Sequence, residues 1–132
     1  MATPGVTLGD VMSAPVLTIE VGESLWDAWQ MLFVSGLRHI AVIDADGAFV
    51  GILSDRMILA NAPLTAETLS ARTVGELLST MPSVRLTPEA SPVDAARVMS
   101  ERSLEAIAVL DLRSKLVGIV TESDLVRWLL AA

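Results

Sequence analysis

Few of the 132 residues have side chains that can carry chemistry, and their spacing narrows the choice further. There is one histidine, His39, and no cysteine, which removes disulfides, thiolate nucleophiles and thiolate zinc sites together. No second histidine and no cluster of carboxylates accompanies His39, so neither a catalytic triad nor a metal site is legible. An enzyme is therefore not expected, nor a required cofactor. Asp44 and Asp111 follow apolar runs and read as turn formers, and Asp46-Gly47 reads as a hairpin turn rather than a calcium loop. One motif remains. Thr121-Glu122-Ser123-Asp124 follows the apolar Gly118-Ile119-Val120 at once and leads directly into a helical apolar pattern. A helix start offers free N–H groups and a partial positive charge to a phosphate. The same residues would also serve as an N-cap and a favourable first-turn acid. An earlier stretch from Val50 to Asn61, "VGILSDRMILAN", has the same build, with Met57 where Asp124 stands.

Stepping along the chain by 67 residues shows why the two stretches are alike. Pro15 falls on Pro82, and Ser24, Asp27, Ala28, Ile40, Gly51 and Ile52 fall on Ser91, Asp94, Ala95, Ile107, Gly118 and Ile119. Before the prolines, "LGDVMS" matches "VGELLS" with a shift of one residue. The identities sit at apolar and turn positions, as in a duplicated fold. The chain divides into a first repeat over 1–62, a linker over 63–73 carrying polar and turn residues with room for a helical turn, and a second repeat over 74–132.

Each repeat contains the elements that would hold the motif in place. A β-like segment comes first, "VLTIEV" and then "SVRLTP". A helix follows, opened by Ser24 or Ser91 with Asp in its first turn; the second copy also has Pro92 at the first helical position, where its missing N–H costs nothing. Two short strands come next, "HIAVID" and "AFVGIL" joined by "ADG", then "AIAVLD" and "LVGIV" joined through "LRSK". A last helix is capped by Ser54 or Thr121. The fold class is thus α/β (α+β), with two β-α-β-β-α repeats. Each is too small to bury much alone, so the expectation is sheet-to-sheet packing about a pseudo-two-fold axis. Two related clefts would lie between them.

Composition excludes several classes of function. With 52% hydrophobic residues the chain has a real core. A net charge of −7 and only nine Lys and Arg argue against a nucleic-acid binder, which needs a basic face. The N-terminus lacks the basic flank and apolar core of a secretory signal, and no apolar run approaches the ~18–20 residues of a membrane span. The expectation is a soluble cytoplasmic protein without membrane contact.

The two tandem units, each with apolar-Gly-Ile-apolar-Ser/Thr leading into a final helix, resemble a cystathionine-β-synthase (CBS) domain pair, or Bateman module. "LGDVMSAPVLTI", "RHIAVID" and "GIVTESDL" match its recurrent segments over nearly the whole chain. The resemblance implies a regulatory sensor that binds an adenosine-containing ligand, foremost AMP, ADP or ATP, otherwise S-adenosylmethionine or NAD, in the inter-repeat cleft. It gives Asp124 the ribose hydroxyls, with Thr121 and Ser123 at ribose or phosphate, and it gives Arg38 and His39 the phosphate. Asp10, Met12 and Val16 would line the purine pocket. It also implies pairing into homodimers, to which Trp26, Trp29 and Phe33 belong as bulky aromatics at helical spacing beyond the core stripe. The alternative is a module that dimerises or docks on an effector protein without ligand, its nucleotide site decayed as Met57 indicates.

Overall fold

Regular structure forms where the duplicated pattern places it. In the computed structural model, which describes residues 5–78 and 84–131, the first half runs α1 (Leu8–Val11), β1 (Thr18–Glu20), α2 (Leu25–Ser35), β2 (His39–Ile43), β3 (Phe49–Ser54) and α3 (Asp55–Asn61). There follow α4 (Ala66–Ser70), α5 (Val74–Leu77), β4 (Arg85–Leu86), α6 (Pro92–Arg102), β5 (Ala106–Leu110), β6 (Leu116–Thr121) and α7 (Glu122–Ala131). The class is mixed α/β with two three-stranded sheets, ordered β1-β2-β3 and β4-β5-β6. In each sheet the first pair is parallel and the second antiparallel, and the registers repeat at the 67-residue offset. Thr18 pairs with Ala41 as Arg85 pairs with Ala108, and His39 with Ser54 as Ala106 with Thr121.

Local chemistry accounts for the element ends. Ser24 accepts the Asp27 N–H at 3.1 Å, and Ser91 accepts the Asp94 N–H at 3.0 Å, which starts α2 and α6. Asp44 closes the first hairpin by accepting the N–H groups of Asp46 and Ala48, both at 2.9 Å; Asp111 does the same for Arg113 and Lys115 at 2.9 and 3.0 Å. The turn position after α2 and the hairpin tip need left-handed backbone. The first copy has Gly36 (φ 71°) and Gly47 (φ 85°) there, the second Ser103 (φ 54°) and Ser114 (φ 61°).

Two elements differ from the sequence expectation. The strand expected over "VLTIEV" is shortened to Thr18–Glu20, and the one over "SVRLTP" to Arg85–Leu86. The reason is backbone demand from elsewhere. The loops that follow turn aside to offer carbonyls to a short helix: Val21 and Glu23 accept from Gly75 (3.0 Å) and Val74 (2.8 Å), and Pro88 and Ala90 accept from Gly9 (3.0 Å) and Leu8 (2.8 Å). The linker takes the helical turn that its sequence leaves room for. It holds α4, capped by Thr65, whose hydroxyl accepts the Thr68 N–H at 3.1 Å, and it buries Leu69 completely. Ser79, Pro82 and Ser83, on which parts of the repeat alignment fall, lie outside the described residues.

The chain forms two compact units that cut across the repeats. One draws its described residues from Met1–Val16 and Val84–Ala132, the other from Leu17–Ser83. We call them the second-repeat unit and the first-repeat unit after the sheet each contains. The second-repeat unit buries Leu8 from α1 among Ala95, Met99, Ile107, Val109, Val120 and Leu125. The first-repeat unit gathers Leu25, Leu32, Ile40, Leu53 and Ile58 around Leu69 and Val74. Burying a side chain the size of Leu8 contributes about 1.5–3 kcal/mol. No helix among the described residues is long and apolar enough to cross a membrane.

The left-handed serines supply a test of this geometry. Ser114→Gly is expected to raise stability by roughly 0.5–1 kcal/mol, and Gly47→Ser to lower it by a similar amount, in chemical denaturation followed by circular dichroism.

Candidate functional site

Strand β6 ends at Thr121, and α7 begins at the next residue, so the motif has no loop of its own. Thr121 and Asp124 cap the helix reciprocally. The Thr121 N–H and hydroxyl donate to Asp124 Oδ2 at 2.9 and 3.1 Å, and the Asp124 N–H donates to Thr121 Oγ1 at 3.3 Å. Asp124 is only 3% exposed. A buried carboxylate needs partners, and the second oxygen finds two. Asp124 Oδ1 accepts from the Ser13 hydroxyl at 3.1 Å and forms an ion pair with Arg127, one turn along α7, whose side chain is 70% exposed. Ser13 arrives there because its segment pairs with β6: its N–H donates to the Ile119 carbonyl at 2.8 Å, and the Ile119 N–H donates back at 3.1 Å. Four donors thus meet the roughly four lone-pair sites of one carboxylate. The acceptor is saturated from within the chain.

The other residues singled out from the sequence fall in several places. Ser123 is exposed on α7, beside but not within the Asp124 network. Met12 packs directly over β6, where a Cβ on Gly118 would lie 2.3 Å from the Met12 sulfur. Asp10 is exposed and caps α1, accepting from the Thr7 N–H at 2.9 Å and hydroxyl at 3.2 Å. Val16 is half-buried at the end of the same segment.

Arg38 and His39 belong to the first-repeat unit. Arg38 Nε lies 3.4 Å from Asp55 at the start of α3, and the half-buried His39 opens β2 opposite Ser54. Ser54 caps α3 by accepting the Met57 N–H at 3.1 Å, as Thr121 does for Asp124. Met57 returns no carboxylate and packs partly against the core. Of the three aromatics, Trp26 and Trp29 are half-buried against the first-repeat core, while Phe33 is 81% exposed. Among the described residues there is no group of three His, Cys, Asp or Glu able to hold a metal ion.

Ser13 and Arg127 were not singled out from the sequence. Arg127 carried a signal in its i,i+3 spacing from Asp124. Ser13 carried none, since 111 residues separate it from its partner.

Comparison with known proteins agrees with this architecture. The CBS-domain profile matches residues 8–63 and 74–131, and the chain belongs to the CBS-domain family. It is 28% identical over 134 residues to a CBS domain-containing protein of Dictyostelium discoideum, covering 95% of this chain and 92% of that one. It is also 29% identical over 121 residues to a homoserine O-acetyltransferase of Methanococcoides burtonii, covering 92% of this chain but 24% of that enzyme. The chain therefore spans about a quarter of that relative's length. Among solved structures, CBSX2 in complex with AMP is 29% identical, with a TM-score of 0.79 over 96% of this chain and 98% of that one. The CBS domain pair of MJ0100, 23% identical with a TM-score of 0.81 over 97% and 98%, shares the fold.

The contact between Met12 and Gly118 is testable. Gly118→Ala is expected to cost about 1–3 kcal/mol by pushing Met12 off β6. Combining it with Met12→Ala is expected to cost less than the sum of the two single changes, measured as a double-mutant cycle.

Proposed function

We propose that the chain is a regulatory module that binds an adenosine-containing ligand, AMP, ADP or ATP foremost, with Asp124 as the acceptor for the ribose hydroxyls. The observation that carries it is a buried carboxylate at a helix start, held in place by four internal donors. Support comes from CBSX2, a relative of the same length class solved with AMP. In this proposal Thr121 and Ser123 assist at the ribose or phosphate, and Arg38 and His39 serve the phosphate. Met12 and Val16 line the purine side.

Saturation of Asp124 gives the proposal a mechanism. A ribose diol needs two acceptor sites, and the carboxylate has none free. The two donors from Thr121 belong to the cap of α7 itself, so the exchangeable ones are Ser13 and Arg127 on Oδ1. Ligand binding then releases Ser13 from α7 and frees Arg127 toward the anionic end of the ligand. The two states differ in how the N-terminal segment is held, which is what a ligand must discriminate to act as a signal.

A second reading is a module that dimerises or docks on an effector protein without ligand. It is favoured by Met57, which gives the first copy no acceptor, and by the exposure of Phe33.

Titration calorimetry of wild type, Asp124→Asn and Ser13→Ala with AMP, ADP, ATP, S-adenosylmethionine and NADH separates the two. The expected outcome is binding of at least one compound by wild type and a loss of about tenfold or more in Asp124→Asn. Ser13→Ala is expected to bind several-fold more tightly, because a competing donor is gone. Melting without ligand is recorded for each variant, since Asp124→Asn also weakens the cap by about 1–2 kcal/mol. At 100 times its dissociation constant a ligand adds about 2.7 kcal/mol to wild type. Absence of binding by wild type, or equal binding by Asp124→Asn, moves the weight to the second reading.

A further inference from the structure

Arg127 is the charged partner of the buried Asp124, yet its own side chain is 70% exposed. One of the five N–H donors of its guanidinium meets Asp124 Oδ1, which leaves most of the fork for another acceptor. It is also the one cation on the elements that touch Asp124. Among the described residues of the leading segment 5–16, β6 and α7, the charged side chains are Asp10, Glu122, Asp124 and Arg127. A further acid, Glu105, joins the junction through its carbonyl, which accepts the Glu122 N–H at 3.0 Å. Every other charge there is negative, so an anion arriving at Asp124 depends on Arg127 for attraction.

The first copy makes the same strand-to-helix junction without this pair. Met57 and Ala60 stand where Asp124 and Arg127 stand, and Ser54 still caps α3. Acceptor and cation are present together in one copy and absent together from the other.

Given the reading of Asp124 as the ribose acceptor, on which this rests, we propose that Arg127 selects the ligand by charge. It favours an adenosine compound with a phosphate at the 5′ position over one whose 5′ group is neutral or, as in S-adenosylmethionine, a sulfonium cation. When the ribose hydroxyls take Asp124 Oδ1, the guanidinium loses its acceptor. A 5′-phosphate, one ribose ring away, replaces it with oxygens that match the planar fork. A neutral 5′ group leaves Arg127 to solvent, and a sulfonium brings a like charge against it. Arg127 thus passes from the protein's anion to the ligand's, and the net gain depends on what the ligand carries there.

Titration calorimetry with AMP, adenosine and S-adenosylmethionine, on wild type, Arg127→Gln and Arg127→Lys, tests this. Wild type is expected to bind AMP about tenfold or more tightly than adenosine, and S-adenosylmethionine more weakly than AMP. In Arg127→Gln the preference for AMP over adenosine is expected to fall by about tenfold. Arg127→Lys keeps the charge without the fork and is expected to lie between. Melting without ligand verifies the fold of each variant. A weakened cap would lower the affinity for both compounds alike, so the ratio isolates the effect of charge. An unchanged ratio in Arg127→Gln, with adenosine still bound, overturns selection by Arg127 and leaves Asp124 as the ribose acceptor. An equal loss of both compounds overturns it too, and makes Arg127 a structural partner of Asp124 only. If wild type binds neither AMP nor adenosine, the ribose reading falls and the charge selection falls with it.

Discussion

Each compact unit closes through a matching pair of backbone hydrogen bonds. The first two N–H groups of a short helix donate to carbonyls in the loop after a strand, from Leu8 and Gly9 in one unit and from Val74 and Gly75 in the other. Both donors and acceptors are obligatory polar groups that would otherwise be left without partners near the core. The bonds also carry Leu8 and Val74 to full burial, completing an apolar interior that a repeat of about 60 residues lacks on its own. In both cases the helix comes from the other sequence repeat. The two repeats therefore exchange their leading segments.

The Asp124 network follows from that exchange. Once α1 is docked on the second-repeat loop, the residues after it run along β6, and Ser13 reaches Asp124. A carboxylate this deeply buried persists only with strong partners. The same four bonds cap α7, tie down the N-terminal segment and fix the direction of the carboxylate. In the function proposed above, structural support and ligand recognition would compete for one set of lone pairs, which would link occupancy of the site to the position of the leading segment.

Duplication also permits a direct comparison of what the fold requires with what each copy adds. Cap serines, turn aspartates and strand registers are shared. Asp124 against Met57, and Glu101 and Ser100 on α6 against Val34 and Phe33 on α2, are not.

The elements themselves were legible in the chain because their causes are local. Alternating caps, hairpin aspartates and apolar runs act over three to five residues, and the 67-residue repeat doubles every signal. The family and the Thr121–Asp124 motif were readable for the same reason. Tertiary structure decided the rest. Strand lengths depended on carbonyls claimed by a helix from the opposite repeat, and the linker's helix depended on a buried place for Leu69. The partition of Trp26, Trp29 and Phe33 between cover and exposure depended on what packs beneath α2. Ser13 met Asp124 across 111 residues, a pairing that no spacing rule encodes, because hydrogen bonds are local in space and not in sequence.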